Sequence, residues 1–270
     1  MTILRYPGGK TRAAKRIVAY IPEGTMRLYS PFFGGASVEL EWLNLTNGTV
    51  YARDKFPQLA NFWKHVFRGE NDVMADICQS YLGLCKPDFY TLQDKLRAWE
   101  GSGLEMAAWF YVINRASFSG ATLSGGMGDG SRFTQSACDR LRDFTFNGRI
   151  DFRSGDVFDS LRRRTERFGE DACIYLDPPY WIASTLYGDR GNAHTDFSHQ
   201  RLRNLVGRLN DMGIKWIMSY NDGPEIRDLY HGFRMVPTTW KYGMSKDKVG
   251  RELLIFSTAI ELSQEISNVA

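Results

Sequence analysis

Cysteine is scarce in this chain: four of 270 residues, at positions 78, 85, 138 and 173, none forming a Cys-x-x-Cys pair. The four histidines are scattered, and no His-Glu-x-x-His occurs. Neither a zinc site nor a disulfide scaffold is indicated; no metal is expected, and the cytoplasm is the natural compartment. No apolar run reaches the roughly 18 residues of a membrane span, and the N-terminus lacks the apolar core of a signal peptide. No membrane partner is therefore expected. Internal repeats and low-complexity tails are also missing. A complete phosphate-binding loop is lacking too. Gly9-Lys10-Thr11 imitates its end, but the pattern needs glycine at position 4, where Leu4 stands. That excludes a P-loop ATPase and leaves Lys10 as a candidate cofactor or phosphate contact, or a surface lysine at a helix start.

The chain is 43% hydrophobic and 24% charged, enough for a substantial core in one large domain or a core domain with an insert. Its net charge of +3 and pI of about 8.6 permit a polyanionic partner without requiring one. Arg27 to Ser30 reads as a strand, Pro31-Phe32-Phe33-Gly34-Gly35 as a turn, Ala36 to Trp42 as a helix, and Thr49 to Ala52 as a second strand. From residue 57 to 146 the pattern turns helical, near 57–68, 71–84, 88–99 and 103–115. Alternation resumes with a strand at 150–152, a helix near 157–168 and a strand at 173–176. A helix near 197–212 and strands at 214–219, 233–240 and 252–258 follow. The division expected is a catalytic part at 1–56 and 147–270, interrupted by a helical unit at 57–146.

The chemistry concentrates in Asp177-Pro178-Pro179-Tyr180. An apolar strand runs into two prolines that cannot donate ladder hydrogen bonds, so Asp177 and Tyr180 sit on a stiff turn at the strand's C-terminal end. Open α/β sheets bind ligands at that edge. A carboxylate accepts from an amino group and a tyrosine stacks on a flat ring, a pair suited to the exocyclic amine of a nucleobase. The rival reading is a proline-rich turn with a solvated carboxylate. Asp54 ends the second strand 20 residues after Gly34, where an acid commonly receives ribose hydroxyls. Gly34 and Gly35 allow a tight turn or close approach of backbone to a ligand. No diphosphate cradle is evident, which favours a nucleoside cofactor with little phosphate. Residues 117–131, with five glycines and five hydroxyls, form a binding-loop candidate. Arg162, Arg163, Arg164 and Arg167 read as a solvated helix face, and His194 and His199 as surface or loop residues.

Together Tyr6-Pro7-Gly8-Gly9-Lys10, Pro31-Phe32-Phe33-Gly34-Gly35, Asp54, Asn114-Arg115-Ala116-Ser117-Phe118-Ser119-Gly120, Asp177-Pro178-Pro179-Tyr180 and Ser219-Tyr220-Asn221 carry a resemblance. In sequence and order they resemble the D12-class DNA adenine-N6 methyltransferases, the group that includes the Dam-type enzymes. The resemblance reaches about residue 258. It implies a Rossmann-like α/β methyltransferase fold, a mixed seven-stranded sheet with an inserted, mainly helical target-recognition domain. It implies S-adenosylmethionine (SAM) as cofactor, double-stranded DNA as partner, a monomer, and a bacterial or phage-encoded protein, with restriction-modification among its roles. The cofactor residues implied are Tyr6, Lys10, Pro31, Phe32, Phe33, Gly34, Gly35, Ala36, Asp54, Asp156 and Asp177. The catalytic residues are Asp177, Pro178, Pro179 and Tyr180. The DNA contacts are Asn114, Arg115, Ser117, Phe118, Ser119, Thr122 and Arg132. Two departures stand out. Ser119 occupies a position that usually carries asparagine, and Ser124 to Gly130 replaces the family's asparagine-valine-proline hairpin. The GATC target therefore does not carry over.

Under this reading Asp177 and the Pro178 carbonyl hold both hydrogens of adenine N6, turning its lone pair toward the methyl donor. The base must first leave the duplex stack, and Tyr180 is its platform. Cytosine-C5 chemistry needs a cysteine after proline, and none is present. Cytosine-N4 methylation, an RNA amine target and a non-catalytic DNA-binding protein are the competing readings.

Overall fold

The computed structural model describes residues 1–6, 8–128, 133–162, 168–181, 197–241 and 249–261. Pro7, the loop end 129–132 with Arg132, the arginines at 163, 164 and 167, and His194 lie outside them. Strands β1 (Arg27–Ser30), β2 (Thr49–Asp54), β3 (Arg149–Ser154), β4 (Ala172–Leu176), β5 (Trp216–Asn221), β6 (Arg234–Lys241) and β7 (Val249–Phe256) form one sheet in the order β3-β2-β1-β4-β5-β7-β6. The first five are mutually parallel, and β7 runs antiparallel between β5 and β6. This is the mixed seven-stranded α/β sheet expected from the sequence.

Both faces of the sheet are covered, which is why β4 is buried at every position. Its side chains alternate with the strand period of two. Cys173 and Tyr175 enter one core cluster, while Ala172, Ile174 and Leu176 enter the other. Helices α1 (Ala14–Val18) and α2 (Ser37–Leu45) flank β1, and α8 (Val157–Arg162), α9 (His199–Asp211) and α10 (Pro224–Leu229) belong to the second half. Between β2 and β3 lie α3 (Pro57–Val66), α4 (Asn71–Gln79), α5 (Lys86–Ala98), α6 (Gly103–Ala116) and α7 (Gln135–Arg142).

The core does not break at residue 57. Trp63 on α3 donates its indole N–H to the Gly34 carbonyl at 2.9 Å and meets Phe33 edge to face. Phe62, Phe89 and Phe110 join Phe33 in the same cluster. The helical segment thus buries its apolar faces against the sheet side that carries the glycine turn.

Element ends shifted for physical reasons. The strand expected from 214 begins at Trp216, because Gly213, at φ +68°, closes α9 and the Ile214 N–H turns back to the Leu209 carbonyl. Helices α7 and α10 had no counterpart in the sequence reading, and α1 had only a helix start at Lys10. At five to eight residues they are too short for a helical period to stand out.

Candidate active site

Because β1 to β5 are parallel, their C-terminal ends share one edge. The glycine turn follows β1, Asp54 ends β2, Asp156 follows β3, Asp177 follows β4, and Asn221 ends β5. A cavity of about 400 Å³ opens there, lined by Tyr6, Lys10, Pro31 to Glu39, Asp54 to Pro57, Asp156 to Phe158, Tyr175, Asp177 to Pro179, and Phe197, Ser198 and Arg201. Every cofactor residue inferred from the resemblance lies on its wall.

Asp54 is buried, and both of its oxygens are engaged. Oδ2 accepts from Gly34 N at 2.8 Å and Oδ1 from Phe56 N at 2.9 Å. Burial raises its pKa to about 6, against the lowering effect of those amides. The acid therefore holds the turn as well as facing the cavity. The glycines serve a contact the sequence did not indicate: a Cβ at Gly34 would lie 3.1 Å from the Tyr6 ring, and one at Gly35 would lie 3.0 Å from Tyr6 Cβ. Ala36 follows in the left-handed region at φ 59° and opens α2. Asp156 caps the next helix, accepting from Phe158 N at 2.8 Å, and pairs with Lys55 at 3.4 Å. Phe32, Phe158 and Phe197 cluster into an aromatic wall.

On the other side, Asp177 Oδ1 accepts from Lys10 Nζ at 2.7 Å and from Ser219 Oγ at 2.9 Å. Lys10 also donates to the Tyr180 hydroxyl and to the Gly8 carbonyl, and it lies 3.8 Å from Glu252 on β7. The whole Ser219-Tyr220-Asn221 segment braces this turn. Ser219 bonds Asp177, Tyr220 stacks on Tyr180 at 6.1 Å, and Asn221 Oδ1 accepts from Trp181 N at 3.0 Å. His199 opens α9, within the helix expected near 197–212, bonds the Tyr220 hydroxyl and packs on Trp181.

Glu39 was missed by the sequence reading. It is a lone acid on the buried face of α2, 2% exposed, and it accepts from Ser30 Oγ. Burial raises its pKa to about 7, and Asp177 pushes the same way. The available signal was an acid inside the apolar run Val38-Glu39-Leu40.

The inferred DNA contacts divide. Asn114 is fully buried and faces inward: it accepts from Arg5 N at 2.9 Å and donates to Arg5 O at 2.7 Å and Thr122 Oγ1 at 3.1 Å. Ser117 donates to Asn114 O, and Thr122 to Gly120 O. All three place polar atoms on partners within the protein and so shape the loop. Gly120, at φ +74°, is indispensable, since a Cβ there would meet Arg5 O at 2.1 Å. Within the described part of the loop, Phe118 N donates to Gly126 O at 3.0 Å and Gly128 N to Ala116 O at 2.8 Å. Phe118, 59% exposed, projects from it, and Ser119 is half-buried at φ 59°. Arg115 has a different character. Its guanidinium is desolvated, which lowers its pKa, and its nearby charged neighbours include Arg140 and Arg5.

Comparison with known proteins gives concordant results. The family described as D12 class N6 adenine-specific DNA methyltransferase matches residues 6–244. The DNA N-6-adenine-methyltransferase of Escherichia phage P1 is 27% identical over 249 residues, 87% of this chain. The chain spans 32% of that protein's length. The type II methyltransferase M.CviBI of Paramecium bursaria Chlorella virus NC1A is 24% identical over 263 residues, 93% of this chain and 95% of the viral protein. The chain therefore belongs to the D12 class N6 adenine-specific DNA methyltransferase family.

Proposed function

We propose that the protein transfers a methyl group from SAM to N6 of an adenine flipped out of double-stranded DNA. The observation that carries this is Asp177, braced by Lys10 and Ser219 on the wall of a cavity that Asp54 also lines. Both contacts described above fall on Oδ1, which leaves Oδ2 as the oxygen for an incoming amine. The cavity suits a cationic nucleoside. Four carboxylates, Glu39, Asp54, Asp156 and Asp177, line it against three cations, Lys10, Lys55 and Arg201, and among the described residues of the lining Lys10 is the buried one of these. SAM supplies an electrophilic methyl on a positive sulfur and carries an ammonium as well.

Asp177 Oδ2 and the Pro178 carbonyl accept the two N6 hydrogens, which pyramidalises the nitrogen and frees its lone pair. Lys10 and Ser219 fix the carboxylate so that no reorganisation is needed at the moment of reaction. The proton lost after transfer leaves along the hydrogen bond already made to Oδ2. Tyr180, clamped by Lys10 and Tyr220, presents the platform for the base. Residues 57–146 form the target-recognition segment, with Phe118 and Ser119 as its projecting side chains and Arg115 on phosphate. Asn114, Ser117 and Thr122 hold that loop in shape.

The test is incubation of purified protein with SAM and unmethylated genomic DNA, followed by nucleoside mass spectrometry. N6-methyladenine that disappears with Asp177→Ala is the expected product. N4-methylcytosine, or no methylated base, overturns the assignment.

A further inference from the structure

We propose that Glu39 receives the α-ammonium of the methionine moiety of SAM. The proposal rests on the cofactor reading above and adds a residue that neither the motifs nor the mechanism uses. Glu39 stands in the first turn of α2, immediately after the glycine turn, and lines the cavity with Tyr6, Lys10, Tyr175 and Asp177. Asp177 is its charged neighbour, and Glu39 in turn acts on Tyr175. It therefore belongs to the end of the cavity where the methyl must be delivered, while Asp54 lies beyond Gly34.

A buried carboxylate is costly without a cation, so such groups are paired, hydrogen-bonded or protonated. Glu39 has a hydroxyl partner in Ser30 and help from the amides of Val38 and Glu39, but none of the groups acting most strongly on it is cationic. Lys10, the buried cation nearby, is shared by Asp177 and Glu252. A carboxylate fixed in the wall of a ligand cavity without a cation of its own selects a ligand that brings one. The methionine ammonium is that group, attached to the same short chain as the sulfonium. The contact would require the ionised form, whereas burial raises the pKa of Glu39 to about 7. Cofactor affinity should then rise with pH across neutrality. The other titratable and charged groups facing this end are Asp177, Tyr175, Lys10 and Glu252, and Asp54 at the far end titrates near 6.

The test compares S-adenosylhomocysteine, which carries the ammonium, with 5′-methylthioadenosine, which lacks the whole amino-acid moiety. Affinities are measured by calorimetry on the intact protein and on Glu39→Gln from pH 6 to 8.5. The expected result is a loss of roughly tenfold to a hundredfold in S-adenosylhomocysteine affinity in the variant, with methylthioadenosine affinity unchanged. The ratio of the two affinities should rise with pH in the wild type and be flat in the variant. Asp54 affects both ligands and cancels in that ratio. Equal losses for both ligands mean that Glu39 only shapes the pocket, and no loss means that it does not touch the ligand; either result overturns the proposal. A wild type that binds neither compound removes the SAM reading itself, and the proposal with it.

Discussion

Lys10 Nζ lies 2.7 Å from Asp177 Oδ1, joining the start of the chain to the turn after β4 across 167 residues. The lysine is almost completely buried, with Glu252 at 3.8 Å on its other side. Removing either partner has different consequences. Asp177→Ala should lower single-turnover methyl transfer by about 100-fold or more, the scale of a lost pre-organised contact, while the far-UV dichroism stays unchanged. Near-normal turnover on DNA would remove Asp177 from the catalytic role. Lys10→Met should be the more damaging to the fold. It leaves Asp177 and Glu252 with no cation between them, a change costing about 3–5 kcal/mol in urea unfolding.

Asp54 binds two backbone amides that shape the cavity, so its loss should be felt twice. Asp54→Ala is expected to weaken SAM binding by about 1–3 kcal/mol and to lower the melting temperature of the unliganded protein, since Gly34 N and Phe56 N lose their acceptor. Unchanged affinity in calorimetry would take Asp54 out of the cofactor site.

Glu39 makes stability depend on pH with a sign opposite to that of a salt-bridged acid. Its folded pKa, about 7, lies above the ordinary 4.5, so the folded state holds a proton that the unfolded state releases. Stability from this group is fully present below about pH 4.5 and is lost as pH rises through 7. The loss is on the order of 3 kcal/mol. Glu39→Gln should therefore stabilise the ligand-free protein at pH 8 and have little effect at pH 4.5. Denaturation midpoints equally displaced at both pH values would contradict this.

Arg115 offers a salt-dependence test. With Arg140 and Arg5 as its nearby charged neighbours, its guanidinium is suited to a phosphate. Arg115→Ala should weaken DNA binding about equally on all sequences and make the log K against log salt slope shallower by about 1. A loss confined to one sequence would instead identify a base reader. The same comparison on Arg132→Ala, with cognate and scrambled duplexes at fixed salt, assigns that residue to bases or backbone.

Much of the site was legible because strand chemistry is local. The apolar run 172–176 stops at Pro178-Pro179, so a buried strand delivering Asp177 to a sheet edge follows from residues adjacent in sequence. Asp54, at a fixed offset from Gly34, was readable for the same reason, as was the strand, turn, helix and strand order that gives this sheet. The tertiary structure decided which polar groups face outward and which are consumed inside. Asn114 looked like a DNA contact by its motif, yet its amide closes on Arg5, 109 residues away. Gly34 and Gly35 make room for Tyr6, and the Ser219-Tyr220-Asn221 segment braces the Asp177 turn from the next strand. Glu39 passed unnoticed because its burial in the cavity wall, with Ser30 as its hydrogen-bond partner, is a property of three-dimensional packing. A hydrogen bond or a desolvated charge depends on what the fold brings within a few ångströms, and no local period or spacing encodes that.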